Sequence, residues 1–534
     1  MATPINTALL MLSKRAESSG REKLIQTFVD VGPLFALLST VDHQVVFGRR
    51  GTGKTHAFAY LAASREKQND AVATVDLRSV GSSAGLYADE TVPLSERATR
   101  LLVDTLAAIH DAVTTYCVER ADTLNLAETG PMLDRLAEAI TQVKVVGTVE
   151  QEQQTESKQS QTKGGSIAFG ISDGTPNIGA TIESKEIDSE ATIQKVHRKG
   201  TENFYVNFGA TGAAFRDVVD KLGGARLWVL LDEWSSIPLA LQPYLGDLLR
   251  RSLYPLSRVT VKIAAIEHRS VFLMRQRAGD YLGIELGADA AADVNLDDFM
   301  VFDNDPVRAK EFFQDLVGRH VQAVVADTDL AEQLPTTSSA IMQEAFTEKR
   351  AVEEFVRACE GVPRDAINIL ALAAQRALTA AISVNHIRIA ARNWYQRDKE
   401  QAVSADENAH RLLHSIIDDV IGERKARAFL LRSDAKSTLI DSLYDARLLH
   451  ILKRGVSTHD QPGVRFDVYK LDYGCYVDLL TTQHAPIGLL PADEGESAYV
   501  DVPPDDYRSI RRAILDLKKT VDKAATPESR DSSS

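Results

Sequence analysis

The sequence predicts an α/β fold built around a phosphate-binding loop, on three observations. The apolar run Val45-Val46-Phe47 leads into the segment from Gly48 to Thr55, which matches G-x-x-x-x-G-K-[ST] and precedes the helical stretch HAFAYLAASREK. A second apolar run, RLWVLLDE, carries Asp232 and Glu233 at its carboxyl end, as a buried parallel strand would. Long helical patterns lie between and after these runs.

The loop comes first. Its glycines let consecutive backbone N–H groups turn inward onto phosphate oxygens. Lys54 is placed to reach the β- and γ-phosphates and Thr55 to ligate Mg²⁺, while the following helix presents its positive end. Gly48, Arg49, Arg50, Gly51, Thr52, Gly53, Lys54, Thr55 and His56 are therefore the expected nucleotide-binding set, with ATP and Mg²⁺ as ligands. At the second run, Asp232 is expected to ligate Mg²⁺ together with Thr55, and Glu233 to polarise the attacking water. A glycine-rich turn that binds nothing and a purely structural acid pair are the alternatives. Their occurrence in one chain favours the nucleotide reading.

The remaining elements follow in order. Residues 22–39 read as a helix and turn, 71–77 as a buried strand, and the stretches near 93–119 and 126–143 as amphipathic helices. Residues 149–165 hold almost no apolar side chain and are expected to form a mobile loop. The stretch GGSIAFGISDGTPNIGATIES then alternates around a Gly-Thr-Pro-Asn turn, a hairpin signal. Residues 259–270 read as a strand ending in Glu267, His268 and Arg269, between the phosphate loop and the acid strand; a solvated strand end is the other reading. Beyond YLGIELGA and the acidic LDDFMVFDND the chain reads as helical to about residue 403. Within it, Gly361-Val362-Pro363-Arg364 opens a helix with proline in its first turn. An arginine there opposes the helix dipole, so Arg364 is expected to face an external anion such as a triphosphate.

Residues 407–432 and 436–454 read as two helices, and 464–480 as alternating strands. Arg424, Lys425, Arg427, Arg432, Lys436, Arg447, Lys453 and Arg454 outnumber Glu423, Asp434, Asp441 and Asp445, a mild basic bias rather than a stripe. A module of this charge docks protein as readily as it reads DNA. The end, PESRDSSS, is expected to be disordered.

A chain of 534 residues should hold several domains. A formal charge of −14 and a pI near 5.4 argue against a basic coat for non-specific DNA binding. Cys117, Cys359 and Cys475 are too far apart for a disulfide framework or a metal site and suit a reducing compartment. The N-terminus lacks a basic region ahead of an apolar core, and no apolar run reaches the roughly 18 residues of a membrane span. A cytoplasmic protein without a membrane partner is expected.

Taken together, Gly48–Thr55, Leu230-Leu231-Asp232-Glu233, the polar strand end at 267–269 and Gly361-Val362-Pro363-Arg364 resemble AAA+ ATPases, in particular the origin-recognition-complex-like initiators and their bacterial relatives. The resemblance spans roughly residues 20–480. It implies an αβα ATPase core over 1–305 with an insertion at about 147–205. A helical lid over 306–403 would carry Arg364 as second sensor, followed by a C-terminal winged helix over 404–503 and a tail over 504–534. It implies His268 or Glu267 as first sensor. A trans-acting arginine would lie on the helix after that strand, at Arg275 or Arg277, with Arg250 and Arg251 as an alternative pair. The function implied is an ATP-binding and ATP-hydrolysing switch that acts on DNA or a DNA-bound partner and assembles through its core as a homo- or hetero-oligomer. DNA contact would come through the winged helix. The alternative is a signalling ATPase whose nucleotide state gates a partner protein without touching DNA, and a blander third reading is a nucleotide-binding scaffold.

Overall fold

The computed structural model describes residues 2–13, 20–80, 87–141, 143–146, 163–167, 171–172, 175–176, 180–184, 201–204, 206–275, 279–298, 305–423, 428–457, 463–480, 514–517 and 520. Five strands form its central sheet: β1 (Gln44–Phe47), β2 (Ala71–Asp76), β3 (Leu227–Asp232), β4 (Val259–Ala265) and β5 (Ala291–Asn295). All pairings are parallel and the order is β5-β1-β4-β3-β2. Strand alternation sends Val45, Val229 and Ile263 to one face, and Val46, Leu230 and Ala264 to the other. The second face is covered by Lys54–Glu66, through Ala57, Phe58 and Leu61.

The first face is covered mainly by Leu94–Glu119, Leu126–Ile140, Phe208–Asp220 and Gln242–Ser252. Leu94–Glu119 is the one described helix long and apolar enough to cross a membrane. Its apolar side, including Leu101, Leu106, Ile109 and Val113, is buried in the α/β core.

Residues Thr141–Tyr205 form a separate compact unit. In it Val143–Val146 pairs with Thr201–Phe204 and Lys163–Ile167 with Ala180–Ser184, both antiparallel, around a smaller pair made by Ile171–Ser172 and Thr175–Pro176. The pairing across the Gly-Thr-Pro-Asn segment is the hairpin read from the sequence. Most of the expected mobile loop, residues 149–162, lies outside the described residues.

After β4 the chain makes a two-stranded hairpin, Leu273–Arg275 with Tyr281–Gly283, where a helix was expected. Arg275 therefore sits exposed on a strand, and Arg277 lies outside the described residues. Helices Pro306–Val325, Ser338–Ala345, Lys349–Ala358, Pro363–Ala377 and Val384–Trp394 then share one core with the N-terminal helix Pro4–Leu10.

The C-terminal region departs most from its sequence reading. Helix Glu407–Ile416 runs on into a wider-wound turn, Ile417–Glu423, and is followed by a strand, Ala428–Arg432, inside the expected first helix. The expected second helix covers only Thr438–Asp445; Arg447 takes a left-handed conformation (φ 64°) and Leu449–Ser457 is a strand. Of the expected alternating strands, Arg465–Leu471 is one, and Tyr473–Leu480 is a helix. The three strands form an antiparallel sheet with Arg465–Leu471 in the middle. Ala428-Phe429-Leu430-Leu431 is buried on both faces, and so short an apolar run carries no periodicity to separate strand from helix.

Candidate functional site

Strand β1 ends at the phosphate loop, whose Gly48 N–H donates to the Ala265 carbonyl of β4 at 3.1 Å. Gly51 and Gly53 have φ of +90° and +98°, a region side chains disfavour. A Cβ on Gly51 would also lie 2.6 Å from the Arg364 Cβ, whereas one on Gly53 would meet nothing within 4 Å. Lys54, the first residue of the following helix, is buried, and its ammonium donates to the carbonyls of Gly48 at 2.7 Å and Arg49 at 3.0 Å. Burial lowers its pKa, against the pull of Glu233 and Asp232.

The acid pair meets this loop from β3. Thr55 Oγ1 donates to Asp232 Oδ2 at 2.6 Å, and the Glu233 N–H donates to Asp232 Oδ1 at 2.8 Å. Burial raises the Asp232 pKa, opposed by the Thr55 hydrogen bond. Such a carboxylate gains from a nearby cation. Glu233 sits in the left-handed region at φ 58°, a strained placement for a non-glycine residue at the end of a strand. Its carboxylate lies 3.9 Å from Arg78 and accepts a long hydrogen bond, 3.4 Å, from Ser236.

These groups line a cavity of about 730 Å³, within the size of ordinary small-molecule sites. Arg50, Gly51, Gly53, Lys54, Thr55, His56 and Glu233 form one side; Leu316, His320, Pro363 and Arg364 come from the helical region. The Arg364 N–H donates to the Gly51 carbonyl at 3.2 Å, fixing its helix against the loop. The carboxylates that could have claimed its guanidinium are engaged elsewhere: Asp365 with Lys399 at 2.8 Å and with Arg447, and Glu360 with Lys470 at 2.5 Å. Arg364 instead pairs with Asp398 at 3.9 Å. His56 reaches the Leu24 carbonyl and Thr27 Oγ1, so its ring is part of the cavity wall. Burial lowers its pKa to about 4, with His320 adding to the effect.

Other residues of the sequence-derived set face elsewhere. Gly48, Arg49 and Thr52 do not line the cavity. Thr52 Oγ1 donates to the Arg49 carbonyl at 2.9 Å and shapes the loop. The Arg49 side chain turns away from the cavity: it donates to Asp297 at 2.7 Å, the Leu449 carbonyl at 2.9 Å and the Tyr444 carbonyl at 3.3 Å, and approaches His450 Nδ1 at 3.2 Å. The loop is thereby tied to the C-terminal sheet region. His268 lies between Asp445 at 3.6 Å and Asp441 at 3.7 Å, and Glu267 pairs with Arg454 at 2.9 Å. Burial works against a charge on His268, yet Asp445, Asp441 and Glu267 outweigh it and raise its pKa. Neither residue lines the cavity; both dock the C-terminal region onto the end of β4. Arg250 and Arg251 both pair with Asp247, at 2.6 and 2.8 Å.

Arg78 and His320 are among the cavity residues that escaped the sequence reading. Arg78 lies just past β2, the strand beside β3, and an arginine beyond the carboxyl end of a parallel strand was a usable signal. His320 carried no local signal, because only the packing of Pro306–Val325 brings it to the wall.

A family model described as ORC-CDC6-like matches residues 11–270, the stretch that holds both the phosphate loop and the acid strand. Residues 11–270 are ORC-CDC6-like. That family consists of AAA+ ATPases, in accord with the parallel sheet and the loop. No curated protein matches. A solved structure, that of the Aeropyrum pernix ORC1 protein in complex with DNA, aligns at 13% identity over 85% of this chain and 93% of that chain, with a TM-score of 0.30.

The donor set of the ORC-CDC6-like segment fits a nucleoside triphosphate with Mg²⁺. The Gly53 position leaves open space, the buried Lys54 ammonium is held only by neutral carbonyls in its hydrogen bonds, and Asp232 and Thr55 place oxygen donors side by side.

Proposed function

We propose that this protein is an ATP-binding and ATP-hydrolysing AAA+ switch that acts on DNA or a DNA-bound partner. The observation that carries the reading is the single cavity walled by Lys54, Thr55 and Glu233 on one side and Arg364 on the other. In this reading Gly51, Gly53 and Lys54 hold the phosphates, and Thr55 and Asp232 hold Mg²⁺, which neutralises charge on the phosphate oxygens. Glu233 orients and polarises the attacking water. Arg364 approaches from the helical region, which acts as a lid over 306–403, so that closure of the lid follows the γ-phosphate. Residues 404–503 serve as a winged-helix module, and the protein works in the cytoplasm as an oligomer assembled through its core, with an arginine supplied in trans.

The second reading, a signalling ATPase that gates a protein partner, is favoured by one specific observation. Among the described basic residues of the C-terminal region, Arg447 is buried against Asp365 and Asp398, and Arg454 pairs with Glu267 at 2.9 Å, so these two are engaged within the protein.

Lys54→Ala tests the site common to both readings. It should abolish the thermal stabilisation given by ATP with Mg²⁺, and an unchanged stabilisation removes the nucleotide assignment. DNA retention at several salt concentrations separates the two readings, because phosphate contacts make log affinity fall linearly with log salt. Retention that is absent, or flat with salt, leaves the signalling reading.

A further inference from the structure

Away from the nucleotide cavity, Glu400, His410 and His414 converge where helix Glu400–Ser404 turns into helix Glu407–Ile416. One ligand atom from each lies within 4.8 Å of the other two. The histidines are four residues apart, so they rise from one face of their helix. Their Nε2 atoms are 3.4 Å apart, with ring centroids at 4.5 Å and planes inclined at 62°.

That separation fits a shared metal ion. Two imidazole nitrogens on a tetrahedral Zn²⁺, each about 2.0–2.1 Å from the ion, are about 3.3–3.4 Å apart. The supports are also fixed before any ion arrives. Ala409, Leu412, Leu413 and Ile416 bury the other face of the histidine helix, and Asp406 caps its start. Glu400 directly follows Lys399, which is locked between Asp365 and Asp472. Ligands on preorganised elements lose little entropy on binding.

We propose that Glu400, His410 and His414 form a binding site for one Zn²⁺-class transition metal, with water as the fourth ligand. Two imidazoles and one carboxylate suit Zn²⁺ and its neighbours in the first row, and suit Mg²⁺ poorly. The site is distinct from the Mg²⁺ position assigned to Thr55 and Asp232, and bound metal would clamp the corner between the helical region and the C-terminal core. The competing account is a hydrogen bond between two neutral histidines, with Glu400 merely nearby.

The test uses the full chain, stripped of metal and kept in excess Mg²⁺ to mask the nucleotide site. Co²⁺ should produce the intense visible bands of four-coordinate Co²⁺ at one equivalent, and Zn²⁺ should displace it. His410→Ala and His414→Ala should each weaken Zn²⁺ binding at least about tenfold while leaving the circular dichroism spectrum unchanged. Glu400→Gln should weaken it less. Absence of stoichiometric Co²⁺ bands overturns the proposal, as does undiminished Zn²⁺ binding in a double His410→Ala/His414→Ala variant.

Discussion

Two groups of buried charge lie close together in this protein and are built on opposite rules. In the first, Asp365, Lys399, Asp472 and Arg447 are each at most 5% exposed. Lys399 bridges both aspartates, Arg447 joins Asp365 to Asp398, and the Trp394 indole and the N–H groups of Gly474 and Cys475 occupy further oxygens. In the second, around the phosphate loop, Lys54 is hydrogen-bonded to neutral carbonyls and Asp232 to a hydroxyl and an N–H, while Glu233 lies 3.9 Å from Arg78, whose guanidinium is itself held by Asp76 at 2.7 Å. Charge matched internally holds a structure together. Charge held by neutral partners, as at Lys54 and Asp232, is available to a ligand, at some cost to stability.

The contrast can be broken from either side. Lys399→Met removes the cation shared by Asp365 and Asp472 and should cost about 3–5 kcal/mol in denaturant unfolding, the usual penalty for an uncompensated buried charge. A loss below about 1 kcal/mol would mean the cluster contributes no more than a surface pair. Glu233→Gln should behave in the opposite manner. Folding and ATP affinity should hold, because Thr55 and Asp232 remain, while turnover falls about 10²–10⁴-fold with the lost water-polarising carboxylate. Phosphate release equal to wild type would remove Glu233 from the catalytic role.

A smaller effect comes from His56, where burial lowers the pKa from 6.5 to about 4. The unfolded chain takes up this proton first as pH falls, so stability is intact above about pH 6.5 and declines toward pH 4. The loss attributable to His56 should reach about 2 kcal/mol between pH 7 and pH 5. Chemical denaturation of wild type and His56→Gln at both values measures it; equal pH slopes for the two proteins refute it. Smallest is Arg364→Ala, which should lower the preference for ATP over ADP about tenfold, or ~1.4 kcal/mol, by removing a contact specific to the γ-phosphate. An unchanged affinity ratio by calorimetry would make Arg364 a structural partner of Asp398.

Much of the core could be read without coordinates. The phosphate loop, β1, β2, β3 and β4 appear where apolar runs and glycine spacing put them, because those signals are local: a positive φ needs glycine, and a buried parallel strand needs a continuous apolar run. The C-terminal region resisted the same reading. Its helix Thr438–Asp445 stops short of the left-handed Arg447, whose guanidinium is held by Asp365 and Asp398, residues distant in sequence.

The division is plainest at Arg49 and Arg50. The sequence alone determined that a loop with G-x-x-x-x-G-K-T geometry would curl between a strand and a helix, and that an acid pair would end a neighbouring buried strand. It could not assign directions to the two arginines inside that loop. Arg49 is buried against Asp297, Tyr444 and Leu449, while Arg50 is exposed at the cavity. Likewise His268 stands at the end of the strand between loop and acids but turns to Asp441 and Asp445. The backbone of the phosphate loop is set by its glycines and their neighbours in sequence. The direction of a long charged side chain is set by whichever partner the rest of the chain brings within about 3 Å, and only the tertiary structure supplies that partner.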